Sequence, residues 1–117
     1  MLAVTNEALL DAASDVAVRL CAFESYRGSQ RRALGALRRR QPGFSHSVYE
    51  QVLQAAVVLF ETARAMVDAE FTRMREGAPV EGWVDRVAAS LAARCPGFPQ
   101  STYLDLLHWI DLYYHRR

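Results

Sequence analysis

Four side chains near the C-terminus have the types and spacing of a metal site. Asp105, His108, Asp111 and His115 follow one another at intervals of three, three and four residues. On an α-helix, at about 100° per residue, they share an arc of roughly 120°. Imidazole and carboxylate groups so spaced can converge on one ion, and the protein would then be a metal-dependent helical enzyme. The same spacing also describes a solvated helix face, and no second shell is evident to orient the histidines. No metal is therefore assigned. The chain has no Gly-rich phosphate loop, HExxH, EF-hand or paired ExxE, so no cofactor is implied.

A second constellation is basic. Arg27, Arg31, Arg32, Arg38, Arg39 and Arg40 fall close together, and every basic residue of the chain is arginine. Arg31, Arg32, Arg38 and Arg39 share one helical arc opposite Leu34 and Leu37. The guanidinium fork suits phosphate oxygens, so this stripe could follow a nucleic-acid backbone. It contains no aromatic residue for stacking on bases. Carboxylates for neutralising it are expected from Glu50, Glu61 and Asp68, and Arg38 to Arg40 also suit a helix C-terminus.

The third constellation is apolar. Val57, Val58, Leu104, Trp109 and Leu112 depart from the main apolar arcs of their helices, and a 117-residue chain has limited interior to cover them. Exposed apolar surface marks interfaces, and symmetric association of helix faces would close it.

These residues sit on a chain with an internal repeat. Leu37 to Phe60 aligns without gaps on Leu91 to Tyr114. The pairs Leu37/Leu91, Arg40/Arg94, Pro42/Pro96, Gly43/Gly97, Phe44/Phe98, Ser47/Ser101, Tyr49/Tyr103 and Leu53/Leu107 are identical. In both copies Pro-Gly-Phe reads as a helix stop followed by a new start. With Ser45 as N-cap, Phe44 and Tyr49 have the spacing of a hydrophobic staple; Phe98 and Tyr103 repeat it, with Pro99 in place of the serine. The repeat sets the metal-like ladder against Gln51, Gln54, Val57 and Glu61, which predicts a solvent face.

Apolar periodicity predicts five helices, at residues 6–27, 29–40, 45 or 47 to 76, 81–94 and 101–117. Gly77, Ala78 and Pro79 end the third. Glu70 lies in its apolar arc and is expected to reach outward to solvent. Cys21 and Cys95 form no CxxC and read as small buried thiols. No segment alternates like a strand. The fold class is all-α: a single domain over 1–117 in the order long, short, long, short, long, as a bundle or array. The repeat units are 6–44 and 45–98, with 99–117 a partial third.

Composition narrows the function classes. Apolar residues make up 51% and charged residues 23%, which excludes a disordered chain. No apolar run nears the ~20 residues of a membrane span, and Met1 to Leu10 lack the basic start of a secretory signal. A cytoplasmic protein without membrane contact is expected. A net charge of +1 gives no global field selecting a polyanion. The leading reading is a non-catalytic helical interaction module, binding itself or a protein partner through Val57, Val58, Leu104, Trp109 and Leu112. The alternatives are nucleic-acid binding through Arg31, Arg32, Arg38 and Arg39, and the metal-dependent enzyme.

Overall fold

The computed structural model describes residues 4–22 and 29–115, with no account of the His115 side chain. Five α-helices run in the order α1 (Glu7–Ala22), α2 (Gln30–Arg40), α3 (His46–Arg75), α4 (Trp83–Arg94) and α5 (Gln100–Ile110). The described residues contain no strand. The chain is an all-α single domain. Positions 23–27 of the first predicted helix and Arg116 and Arg117 of the last, like Arg27 of the basic cluster, lie outside the described residues.

The helix starts follow local chemistry. Asn6 Oδ1 accepts the Leu9 N–H at 2.9 Å, Ser29 Oγ accepts that of Arg32 at 3.2 Å, and Ser45 Oγ accepts that of Val48 at 3.2 Å. Each satisfies one of the amides left over at a helix N-terminus. Pro99 is the N-cap of α5, the position aligned with Ser45, so the missing serine does not move the boundary.

The last helix departs from the prediction. Its α-winding stops at Ile110 and Asp111–His115 form a π-helical turn. Hydrogen bonds to the fifth residue replace those to the fourth, so the 100° step behind the four-residue ladder fails within it.

Two core clusters share α3. In the first, Leu9, Leu10, Ala13, Val16 and Ala17 of α1 pack with Leu34 and Leu37 of α2 and with Tyr49, Val52, Leu53 and Ala56 of α3. In the second, Leu59, Phe60, Ala63 and Val67 of α3 pack with Trp83, Val87 and Leu91 of α4 and with Tyr103, Leu107 and Ile110 of α5. Phe98 packs against both clusters.

The two Pro-Gly-Phe joints are built alike. Gly43 and Gly97 take φ of 103° and 111°, a conformation that side chains resist. The ring of Phe44 meets Tyr49 edge-on at 5.9 Å, and Phe98 meets Tyr103 edge-on at 6.1 Å. The tyrosine hydroxyl does more than the predicted staple. Tyr49 Oη donates to the Gln41 carbonyl at 2.6 Å and accepts the Phe44 N–H at 3.2 Å. Tyr103 Oη donates to the Cys95 carbonyl at 2.5 Å and accepts the Phe98 N–H at 3.2 Å. Each hydroxyl thus clasps the end of one helix to the approach of the next, using backbone groups that no helix satisfies. Burial raises the Tyr103 phenol pKa, with the Phe98 N–H opposing the shift.

Tyr49→Phe and Tyr103→Phe keep the ring and remove the clasp. Each is expected to lower unfolding free energy in urea by about 1–2 kcal/mol, because two partly buried backbone groups lose their partner. Wild-type stability in both variants would show that the hydroxyls hold nothing.

Candidate functional site

The exposed arginines of α2 form an open charged surface. Ser29, Arg31, Arg32, Gly35 and Arg39 line a groove of about 560 Å³. Their placement follows from α2's amphipathic pattern, since Ala33, Leu34, Ala36 and Leu37 are buried and the arginines between them face out. The first turn holds Arg31 and Arg32 and no acidic residue. Both charges therefore add to the positive end of the helix dipole instead of offsetting it.

The four arginines of the predicted stripe divide between two clefts. Arg31, Arg32 and Arg39 line the groove, and Arg31 and Arg38 line a second cleft toward α3 with His46 and Glu50. Arg38 Nη2 lies 3.1 Å from His46 Nδ1, and its guanidinium carbon lies 5.5 Å from the centre of the Tyr49 ring. A guanidinium can only donate, so Nδ1 must accept. In the neutral ring the proton then sits on Nε2, which faces Glu50 Oε2 at 3.6 Å.

Among the described residues no ion pair joins Glu50 or Glu61 to an arginine of α2, although Glu50 shares a cleft with Arg31 and Arg38. Glu50 faces His46, and Asp68 lies 3.7 Å from Arg64. Arg40 leaves the basic cluster for α1, with Nη1 2.5 Å from Asp15 Oδ2. Among the described residues, Arg31, Arg32 and Arg39 make no ion pair.

The metal-like ladder is split. Asp105 and His108 are exposed, but Asp111 is only 5% exposed. The repeat alignment contained the warning, because Asp111 takes the place of Val57, the single apolar member of the aligned set. Among the described residues no three His, Cys, Asp or Glu side chains come together to hold a metal ion. The side chain of His115 lies outside that description.

The apolar candidates also divide. Val57 is half-buried against the first cluster, and Leu104 and Trp109 pack against the second. Trp109 also stacks on Tyr113 at 4.7 Å and meets Phe60 edge-on at 6.3 Å. Val58 and Leu112 remain exposed, at 46% and 66%. Their positions correspond in the repeat alignment. Val58 joins Ala55, Pro96 and Phe98 along a groove of about 320 Å³.

Two expectations are corrected outright. Glu70 does not reach solvent: it is buried, and its carboxylate bonds Arg73 and, at 3.0 Å, Arg86 Nη2. Arg86 also donates to the carbonyls of Glu81 at 2.6 Å and Pro79 at 2.9 Å, so Glu70 anchors the turn between α3 and α4. The only sequence signal was a carboxylate inside an apolar arc; its partner Arg86 is 16 residues away. Cys21 is exposed instead of buried, and Cys95 is half-buried; both are free thiols. Partial desolvation and then the nearby Glu61 raise the Cys21 thiol pKa.

Compared with known proteins, the chain matches no family model, no curated protein and no solved structure.

The hydrogen bonds from Arg73 and then Arg86 hold the Glu70 carboxyl below its ordinary pKa. The resulting stability is present above the unfolded-state pKa and is lost as pH falls through the lower folded value. Both arginine side chains reach solvent, at 64% and 44% exposure, which limits the gain. Glu70→Gln should therefore cost about 1–2 kcal/mol at pH 7 in urea. The gap from wild type should close as pH drops below the ordinary glutamate range. A gap that persists undiminished at about pH 2 would assign the loss to packing instead of charge.

Proposed function

We propose that the protein is a non-catalytic helical binding module whose working face is the arginine groove of α2, and that its partner is a phosphate backbone. The observation that supports this reading is that Arg31, Arg32 and Arg39 make no ion pair among the described residues, and that the first turn of α2 holds no acidic residue. The guanidinium groups repel one another, Arg31 and Arg32 also meet the positive end of the helix dipole, and a bound anion relieves that repulsion. Phosphate oxygens suit the planar fork, and the groove is open enough to follow a chain of them. The face carries no aromatic side chain for stacking on bases.

A second reading keeps the apolar contact. Val58 and the groove beside Phe98 offer a small surface for another helix, and Leu112 presents a matching apolar side chain. With Val57, Leu104 and Trp109 drawn against the core, this surface is smaller than the sequence pattern suggests. A stable interface buries roughly 800 Å² per partner.

A labelled random-sequence oligonucleotide, single- and double-stranded, separates the two readings. Binding should weaken steeply between low and physiological salt. On duplex DNA the log–log slope should be about −2 to −3, near −0.9 for each phosphate contact. Replacing Arg31, Arg32 and Arg39 together by alanine should remove most of the affinity and flatten the slope. Arg38→Ala should leave the slope near wild type, since that side chain is held by Tyr49 and His46. Absence of binding at low salt would overturn the proposal. Dimerisation in sedimentation, lost on Val58→Asp, would then favour the apolar surface.

A further inference from the structure

A second cleft has the opposite chemistry. It lies between α1 and α5, has a volume of about 340 Å³ and is bordered by the last residue of α2, Arg40. Each long wall is one helix face. Ser14 and Asp15 each lie about one turn from Asp11 on α1, and Thr102, Asp105 and Trp109 follow one another at about one-turn steps on α5. The walls are tied together where Thr102 Oγ1 donates to Asp11 Oδ1 at 3.0 Å. Three carboxylates and one guanidinium therefore surround the cleft.

Those groups are unequally used. Asp15 is engaged by Arg40 and, at 3.8 Å, by Arg19. Asp11 receives Thr102 on one oxygen. Asp105 is exposed and has neither a hydrogen bond nor an ion pair among the described residues. Ser14 is only 7% exposed, and its hydroxyl likewise has no hydrogen-bond partner among them although it lines the cleft. That hydroxyl is reached from the cleft, so a ligand bound there can bond it.

We propose that this cleft binds an organic cation, specifically a guanidinium group. The charge balance of the walls favours a cation. The carboxylates lie too far apart for three to meet at one metal ion, which favours a cation that is itself broad. A guanidinium is planar and carries five N–H donors, so it can reach Asp105, the free oxygen of Asp11 and the Ser14 hydroxyl together. Trp109 supplies an aromatic wall of the kind that guanidinium groups favour. The chain provides an internal precedent, since Arg40 already places a guanidinium nitrogen 2.5 Å from Asp15. This inference is independent of the arginine groove and stands whether or not that groove binds nucleic acid.

The test is an NMR titration of the full chain at constant ionic strength, following the Trp109 indole N–H and the backbone amides of 11–18 and 102–109. Ethylguanidinium and a blocked tripeptide with central arginine are the probes, with sodium and tetramethylammonium chloride as controls. Saturable shifts confined to those signals are expected with a guanidinium probe and not with the controls. Asp105→Asn, at an exposed position, should weaken binding at least fivefold with an unchanged melting temperature. Ser14→Ala should weaken it by a smaller factor and provides a second variant if the first is unstable. Saturation by both probes would show that the group alone suffices; saturation by the peptide alone would identify the ligand as a side chain of a protein partner. Equal shifts with tetramethylammonium, or wild-type affinity in both variants, would overturn the proposal.

Discussion

The architecture depends on the length of α3. Its 30 residues make a rod of about 45 Å, close to the 48 Å long axis of the whole molecule. No other helix of the described chain exceeds 16 residues. One neighbour therefore cannot cover its apolar stripe, and two sets share the task. The N-terminal half is buried by α1 and α2, and the C-terminal half by α4 and α5. The short axis is only 16 Å, so a helix face turned away from α3 has few places to be buried. Function is accordingly sought on the outer faces of α1, α2 and α5.

A spine with a pair of helices at each end requires the chain to reverse without exposing helix ends to the core. The tyrosine clasp meets that requirement in both joints. Proline and glycine alone would end the helix, but they would leave its last carbonyls and the next amides without partners beside an apolar cluster. The phenylalanine fills the corner and the tyrosine hydroxyl serves both backbone groups. Five identities of the alignment thus acquire a role. Leu37 and Leu91 are fully buried and accept the N–H of the cap residue through their carbonyls. Glycine turns the chain, and phenylalanine packs on the tyrosine that clasps it.

The features legible in the sequence were those carried by periodicity and by short-range caps. Five helices and the staple spacing in both joints could be read from local pattern. What escaped was decided by tertiary contact or by a change in helical step. The π-turn at Asp111–His115 leaves no local mark, so the four-residue ladder appeared continuous. Glu70 seemed an outward-reaching glutamate because its partner Arg86 comes from the next helix. Arg38 reads as part of the basic stripe and Arg40 as part of the wider cluster, yet Tyr49 and Asp15 draw them to different helices. The α1–α5 cleft joins two helices far apart in sequence and takes Arg40 from a third, which no spacing rule could bring together.

The distribution of arginines has one further consequence. The chain is almost neutral, so a distant ligand meets little net field, and at physiological ionic strength charges are screened within about 8 Å. Recognition must then be local. α2 separates two such local fields, because Arg40 at its end is committed to the acidic wall of α1 while Arg31, Arg32 and Arg39 face the other groove. Were Arg40 turned to the groove instead, the cleft would be more acidic and the groove more basic. Its pairing with Asp15 instead ties the end of α2 to α1, beside the apolar face that packs the helix into the core. One salt bridge thereby moderates both surfaces and links two helices, so electrostatics and packing cannot be varied separately at that position.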